Sequence, residues 1–463
     1  MIRFFRHYVP LSILLLAVLE FALFYFASRY AASHFGVRPP FGPADELAVS
    51  LKPWLFSFLM ALIISLFGLY DWEWTKGLKS LLLRVLGGFV LGLALVAVGE
   101  RLLPGLFAQD QELLAVILIS ACGVLLTRLA FMQWDNALPF KKRVLVLGTG
   151  SRAAKIEEMI ARGQALGLNI VGYLPLGGTH HYVPRERILE ESGSLLDIVE
   201  RHGIEEIVVA IRERRGGGLP IAELLDCKLS GIRILDLPAF FERQTGILPL
   251  ESVNASWMIF SEGFHSGTAR DLVKRVFDLT VSAALLLATL PIILITALAI
   301  KLESKGPVFY TQERVGQFGR PFTIYKFRSM YTDAEKDGRP QWARHNDDRT
   351  TRVGRVIRRL RIDELPQLIN VFLGQMSFVG PRPERPYFVA ELAAQIPYYN
   401  TRHSLKPGIT GWAQVRFPYG ASVEDAQAKL QYDLYYVKNH SLFLDLMILL
   451  QTAQVVVLGK GAR

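Results

Sequence analysis

The chain has 463 residues, a length that suits about three domains, and 51% of them are hydrophobic, with 28 Phe and 16 Tyr. A mean hydropathy of +0.28 points to a membrane protein with polar stretches long enough to fold outside the bilayer. The formal charge of +10 sits beside apolar segments and phosphate-type motifs, which favours anionic lipid head groups and phosphate substrates over nucleic acid. Two cysteines, Cys122 and Cys227, support neither a disulfide framework nor a zinc site, and His180–His181 reads as a loop pair.

Four apolar segments come first: about Leu11–Ala27, Pro53–Tyr70, Leu81–Val98 and Leu113–Trp134. Each approaches the roughly 20 residues that cross a hydrocarbon core as a helix. Trp54, Tyr70, Trp72, Trp74 and Trp134 mark their ends, where amphipathic rings favour the interface. Arg3, Arg6 and His7 precede the first span, Lys76, Lys79 and Arg84 follow the second, and Lys141, Lys142 and Arg143 follow the fourth. That charge pattern predicts a cytoplasmic N-terminus and a cytoplasmic continuation, with Arg29 and Arg38 as the discordant charges. The first apolar run is long, lacks a small-residue cleavage site and is followed by further spans, so no signal peptide is expected.

From Arg143 to Ser256 strands and helices alternate. Strands are expected at Arg143–Leu147, Asn169–Leu174, Ile207–Ile211 and Ile232–Leu237, with helices through Leu195–Arg201 and Ile221–Leu229. Such alternation predicts a parallel sheet covered by helices. Gly148 and Gly150 form a Gly-x-Gly-x-x-Ala turn opening a helix, a possible nucleotide turn. The second strand ends Tyr173-Leu174-Pro175-Leu176-Gly177 without the carboxylate a nicotinamide ribose requires, and no Tyr-x-x-x-Lys pair follows. A regulatory or scaffolding domain is favoured over a sugar-nucleotide oxidoreductase.

The run Leu279–Ile300 is long enough to cross the bilayer. Pro291 lies in its middle, and both flanks are basic (Lys274, Arg275; Lys301, Lys305), so the charge rule names no outer side. A helix broken at Pro291 that enters and leaves the same leaflet accounts for both features, with Thr289 a candidate partner for the freed backbone groups.

Downstream lie Gln312-Glu313-Arg314-Val315-Gly316, Tyr325-Lys326-Phe327-Arg328-Ser329-Met330, Asp363-Glu364-Leu365-Pro366-Gln367-Leu368, Val379-Gly380-Pro381-Arg382-Pro383, and Lys406-Pro407-Gly408-Ile409-Thr410-Gly411-Trp412-Ala413-Gln414-Val415. Asp363 and Glu364 precede an apolar-periodic segment, so a helix N-terminus is expected there, with Pro366 in its first turn. Taken alone, such a pair is more often a cap than a catalyst. The cationic set around it (Arg314, Lys326, Arg328, Arg352, Arg355, Arg358, Arg359, Arg361, Arg382) shifts the reading toward phosphoryl chemistry, with part of that set solvated or lipid-facing. The final segment, Ser441–Leu458, carries Asp445, Gln451 and Gln454 and ends in Lys460–Arg463, which predicts an interfacial amphipathic helix.

From about Lys274 onward these ordered blocks resemble the bacterial polyprenyl-phosphate glycosyl-1-phosphate transferases, the monotopic phosphoglycosyltransferases. The four upstream spans and the sheet domain resemble the long, initiating form used in exopolysaccharide and O-antigen synthesis. The tail from Arg416, through Tyr432-Asp433-Leu434-Tyr435-Tyr436, resembles the subgroup linked to exosortase-associated exopolysaccharide loci. Two departures stand out: Leu290 precedes the proline where relatives usually have Ser, and Arg416-Phe417-Pro418-Tyr419-Gly420 replaces a Gly-Arg-containing turn.

The resemblance implies a fold of three parts. A membrane α-helical bundle (1–138) precedes an α/β Rossmann-like domain (139–256) and a mixed α/β transferase domain (257–463) with a re-entrant helix at about 276–301. It implies a transfer of sugar 1-phosphate from a UDP-sugar to polyprenyl (undecaprenyl) phosphate with release of UMP. Asp363 would be the nucleophile, Glu364 a metal ligand or proton carrier, and Mg2+ the cofactor, held by Asp363 and Glu364. Arg358 and Arg382 would contact phosphate, followed by Lys326 and Arg328, with Arg314, Gln367 and Pro381 completing the substrate set. The protein is then expected in the bacterial inner membrane as a multi-pass homodimer, its catalytic domain on the cytoplasmic face. Glucose or galactose is the expected sugar.

Overall fold

The computed structural model describes residues 1–35, 43–70, 77–102, 110–134, 141–165, 167–176, 181–191, 193–211, 219–253, 255–264, 267–332, 349–417, 420 and 422–457. Arg38, Trp72, Trp74, Lys76, Gly177, His180, Pro418, Tyr419, Lys460–Arg463 and the side chain of Trp134 lie outside that set. The chain divides into two compact units, one formed by Met1–Phe4 and Tyr8–Gly246, the other by Phe5–His7 and Ile247–Arg463.

In the first unit the four apolar segments are helices, Leu11–Phe35, Pro43–Leu66, Leu78–Leu102 and Asp110–Trp134. Leu11–Phe35, Leu78–Leu102 and Gln111–Phe131 are long and apolar enough to cross a membrane, as is Thr268–Glu303 in the second unit, consistent with a multi-pass membrane protein. Phe24, Met60, Ile64, Phe89 and Val124 form the bundle's interior, while Leu15, Leu83, Leu86 and Leu126 face outward. A β-carbon on Gly123 would come within 2.5 Å of Leu23, so this glycine lets two helices approach closely. Inside the bundle Arg128 grips Glu20 through Nε (2.9 Å) and Nη2 (3.0 Å), donates Nη1 to the Leu69 carbonyl, and lies 5.4 Å over the Tyr70 ring. Charges in an apolar bundle persist when each has a partner, as here.

The same unit carries a parallel four-stranded sheet in the order Leu168–Leu174, Lys142–Leu147, Glu206–Val209, Arg233–Asp236. Strand alternation divides its core. Val144, Val146 and Val208 pack with Ile156 and Phe240, and Leu145, Leu147, Ile207 and Val209 pack with Ile198 and Leu224. The helices Ser151–Ala161, Leu195–Arg201 and Ile221–Leu229 fall where the alternation predicts them. A further helix, Leu237–Thr245, begins directly at the fourth strand's end because Asp236 caps it, Oδ1 accepting from Ala239 N at 3.0 Å. Gly148 has φ +110°, which glycine adopts without strain, and Thr149 Oγ1 lies 2.9 Å from His181 Nδ1.

The second unit is mixed α/β around a core of Leu368, Val371, Met376, Phe378, Trp412, Leu434, Tyr435 and Ile448. The apolar helix runs unbroken from Thr268 to Glu303 with Pro291 inside it. Proline at 291 removes the bond to the Leu287 carbonyl, but Thr289 Oγ1 donates to Leu285 at 2.6 Å, the ordinary back-bond of a helical threonine. It therefore does not serve the carbonyl that the proline frees.

The helix ends are fixed to the rest of the unit. Arg275 donates to the Val371 (2.8 Å) and Phe372 (2.7 Å) carbonyls, and Asp278 accepts from Ser377 Oγ (3.1 Å) and Phe378 N (3.2 Å). At the far end Glu303 accepts from Arg352 N (2.7 Å) and Val353 N (3.0 Å). Phe309–Val315 and Pro321–Phe327 form an antiparallel ribbon, and Ser377–Val379 pairs in parallel with Gly408–Thr410. The helix Leu442–Val457 turns its polar groups inward rather than to water: Asp445, Gln451 and Gln454 are buried. Asp445 takes Lys274 Nζ (2.5 Å) and the Tyr436 hydroxyl (2.6 Å), which corrects the expectation of a polar face on an interfacial helix.

Candidate active site

Asp363 and Glu364 do not cap a helix. They occupy their own 3-10 turn, Ile362–Glu364, and the helix Gln367–Phe372 follows with Pro366 at its N-cap position and no side-chain cap. Arg361 precedes the turn in a left-handed conformation (φ +57°), uncommon for a residue with a β-carbon and costing about 1 kcal/mol or more.

Glu364 lies at the meeting point of three elements. Lys326, on the second ribbon strand, donates Nζ to Glu364 Oε1 at 3.0 Å, and Arg382 Nη2 reaches the same oxygen at 3.3 Å. Asn370 aligns strand and helix: it is fully buried, accepts from Tyr325 N (3.1 Å) and donates to the Thr323 carbonyl (2.7 Å). Burial opposes ionisation of Glu364, but the charges of Lys326, Arg382 and Arg361 outweigh it and hold its pKa below the usual carboxylate value. No described residue hydrogen-bonds the Asp363 carboxylate. Its pKa is raised from 3.8 to about 6, first by desolvation and then by the charge of Glu364, against the opposing pull of Lys326, Arg361 and Arg358. Desolvation also lowers the pKa of Lys326, with Glu364 opposing.

The expected residues thus separate. Asp363, Glu364, Lys326 and Arg382 come together, and Arg358, bonded to Thr350 Oγ1 at 3.2 Å, acts on Asp363 through its charge. Arg328 is spent elsewhere: it is buried and donates to the carbonyls of Ser304 (2.8 Å) and Lys305 (2.9 Å), closing the end of the long apolar helix. Arg314 donates to Gln312 Oε1 (2.6 Å) and the Pro383 carbonyl (3.1 Å), so it shapes the turn that carries Arg382. The Pro381 carbonyl accepts from Gly408 N at 3.0 Å, and Gln367 is buried at the start of its helix. Pro291 lies within the apolar helix, and Gly148 and Gly150 belong to the other unit.

Three residues escaped the sequence reading. Asn370 and Arg402 carry no periodic or motif signal of their own, and Asp433 sits in an aromatic stretch whose pattern does not reveal a buried acid. Arg402 is 5% and Asp433 3% exposed, and they meet at 2.8 Å.

A family profile described as bacterial sugar transferase matches residues 269–459, a span that contains the entire site just described. Over 240 residues the chain is 42% identical to the UDP-N-acetylgalactosamine-undecaprenyl-phosphate N-acetylgalactosaminephosphotransferase of Aeromonas hydrophila, a match covering 52% of this chain and 56% of that relative. The chain thus spans just over half of that relative's length. The UDP-glucose:undecaprenyl-phosphate glucose-1-phosphate transferase of Klebsiella pneumoniae is 30% identical over 424 residues, 90% of this chain and 83% of the relative. The protein of the same description from Escherichia coli K12 is 32% identical over 329 residues, 70% of this chain and 69% of its own length. Because the Klebsiella match takes in the upstream helices and parallel sheet as well as the Asp363–Glu364 turn, the chain belongs as a whole to the bacterial sugar transferase family, the polyprenyl-phosphate glycosyl-1-phosphate transferases.

Proposed function

We propose that the protein transfers a sugar 1-phosphate from a UDP-sugar to polyprenyl (undecaprenyl) phosphate through a covalent phospho-aspartyl intermediate on Asp363. The observation that carries this reading is the contrast within the pair: Glu364 is neutralised by two cations, while Asp363 is desolvated and has no hydrogen-bonding partner among the described residues. A carboxylate so placed is a stronger nucleophile than one fully hydrogen-bonded. In the first step an Asp363 oxygen attacks the sugar-bearing phosphorus, the bond to the bridging oxygen breaks, and UMP leaves with that oxygen. In the second step an oxygen of polyprenyl phosphate attacks the same phosphorus, the aspartyl–phosphorus bond breaks, and the carboxylate is restored. Lys326 and Arg382 stand where they can draw off negative charge in both steps.

Among the described residues no cluster of three or more metal-ligating side chains occurs. Magnesium nevertheless fits the donor set, because it is commonly held by one or two carboxylates with substrate phosphates and water. Asp363 and Glu364 would hold it, and it would supply charge neutralisation at the diphosphate.

The apolar helix is assigned a re-entrant path. Its support is that Arg275 and Asp278 near one end, and Glu303 at the other, bond to the same compact unit, with Pro291 between them where a helix bends. The catalytic unit is placed on the cytoplasmic face of the inner membrane, in a homodimer that initiates exopolysaccharide or O-antigen repeat units. The sheet domain is assigned a Rossmann-like accessory role.

A UMP-release assay across a panel of UDP-sugars, with and without polyprenyl phosphate, tests the reaction. UMP should appear with one or a few UDP-sugars in the presence of Mg2+, and phosphosugar should be trapped on the protein when acceptor is withheld. Turnover by Asp363→Asn at the parental rate would remove Asp363 as nucleophile.

A further inference from the structure

The turn that presents Arg382 is held at four successive carbonyls. Pro381 accepts from Gly408 N (3.0 Å), Arg382 from Arg402 Nη2 (2.9 Å), Pro383 from Arg314 Nη1 (3.1 Å) and Glu384 from Val315 N (3.0 Å). Two prolines flank Arg382 and restrict the backbone further. Of these four tethers, the one on Arg382 itself comes from a charged pair inside the core. Arg402 Nε donates to Asp433 Oδ2 at 3.0 Å, its Nη2 lies 2.8 Å from the same oxygen, and its Nη1 donates to the Tyr399 hydroxyl at 3.0 Å. A pair this deeply buried is a poor stabiliser, because the loss of hydration on both ions offsets most of their attraction. An apolar pair of similar volume would fill the same space as well. What it could not do is donate to the Arg382 carbonyl.

We propose that Arg402, seated on Asp433, is a positioning residue that fixes the Arg382 turn so that its guanidinium meets Glu364 and the incoming diphosphate of the sugar nucleotide. This rests on the phosphosugar transfer proposed above, in which Arg382 contacts phosphate. Arg402 acts through the backbone of Arg382 and does not itself touch substrate. A planar guanidinium is required, since it serves Asp433, Tyr399 and the Arg382 carbonyl in three directions at once, which a single ammonium cannot do.

The test is a mutant cycle on the full-length membrane protein, read as UMP release from the UDP-sugar on which the parent is active. The double substitution Arg402→Met with Asp433→Leu removes both buried charges together and should leave the melting temperature within a few degrees of the parent, roughly. It should lower kcat/KM by about ten-fold or more. In an Arg382→Ala background the same double substitution should change kcat/KM by less than about two-fold, because the group it positions is already gone. An equal loss in both backgrounds, as a general packing defect would give, overturns the proposal; so does no loss in the parental background. If the double variant does not fold, Arg402→Lys in both backgrounds carries the same comparison. Absence of UMP release by the parent with every UDP-sugar would instead remove the underlying reaction, and this inference with it.

Discussion

Two buried charge clusters in this chain use the same parts and end in different states. In the four-helix bundle one carboxylate meets one guanidinium: both Glu20 oxygens face Arg128, and the remaining Arg128 nitrogen is spent on the Leu69 carbonyl. In the catalytic unit two carboxylates stand side by side, and among the described residues the two directly bonded cations, Lys326 and Arg382, go to Glu364. The bundle cluster is closed and holds helices together. The catalytic cluster is uneven, and the neighbour it leaves without a hydrogen bond among the described residues is the group assigned to attack. On the proposed mechanism, reactivity follows from how partners are distributed, since burial is common to both.

That contrast is sharpened first by Asp363→Asn, which should lower turnover by roughly a thousand-fold or more in the UMP-release assay. The same variant should be more stable than the parent at high pH. Because the pKa of Asp363 in the folded protein is about 6 against an ordinary 3.8, ionisation costs the folded state. That cost is absent below about pH 3.8 and complete above pH 6. The Asn variant should therefore melt a few degrees higher, roughly, at pH 8, with the gap closing toward pH 4. In the bundle the outcome should invert. Arg128→Met strands the buried Glu20 and should destabilise by about 3–5 kcal/mol, whereas Glu20→Leu with Arg128→Met should recover most of that loss. Thermal or denaturant unfolding reads both, and failure of the double substitution to recover stability would break the distinction between closed and uneven clusters.

A smaller effect is expected from Glu364→Gln on the acid limb of the pH–rate profile. Activity should rise through about pH 6 in the parent as Asp363 ionises. The charge of Glu364 raises the Asp363 pKa, so its removal should move that limb to lower pH by about one unit, whatever happens to the maximal rate. The smallest effect belongs to Gly150→Ala in the sheet domain. A β-carbon there meets nothing within 4 Å and the backbone is extended, but Gly150 is the helix N-cap, where alanine is less favourable than glycine, so stability should fall by about 1 kcal/mol at most, with UMP release unchanged. A marked loss of turnover would contradict the accessory role.

Local patterns in the chain foretold the helices and the parallel sheet, because span length, strand alternation and turn residues act over a few neighbours. They also brought Asp363, Glu364, Lys326 and Arg382 to notice through the density of charge near an acidic pair. What they did not reveal depends on distant partners. Glu20 and Arg128 are 108 residues apart, and Arg402 and Asp433 are 31 residues apart. Arg328 lies among the basic residues that look like phosphate ligands, and only the return of the chain to Ser304 and Lys305 shows how its guanidinium is used. The helix at 442–457 shows the same limit: a polar stripe has the same spacing whether it meets water or Lys274 and the buried Tyr436.

Arg328 has one more consequence. A β-carbon at Gly306 would collide with its guanidinium, so the residue after Lys305 must be small for the arginine to reach the helix end. With Arg275 fastened near the other end, the apolar segment resembles a rung cut to length. Its outward-facing positions, such as Leu287, Leu294 and Leu298, are exposed and are free to exchange for other apolar residues. An added or deleted residue is a different matter, because it turns one end by about 100° and shifts it by about 1.5 Å against a fixed socket. Relatives should therefore vary in what fills this segment far more than in how many residues it contains.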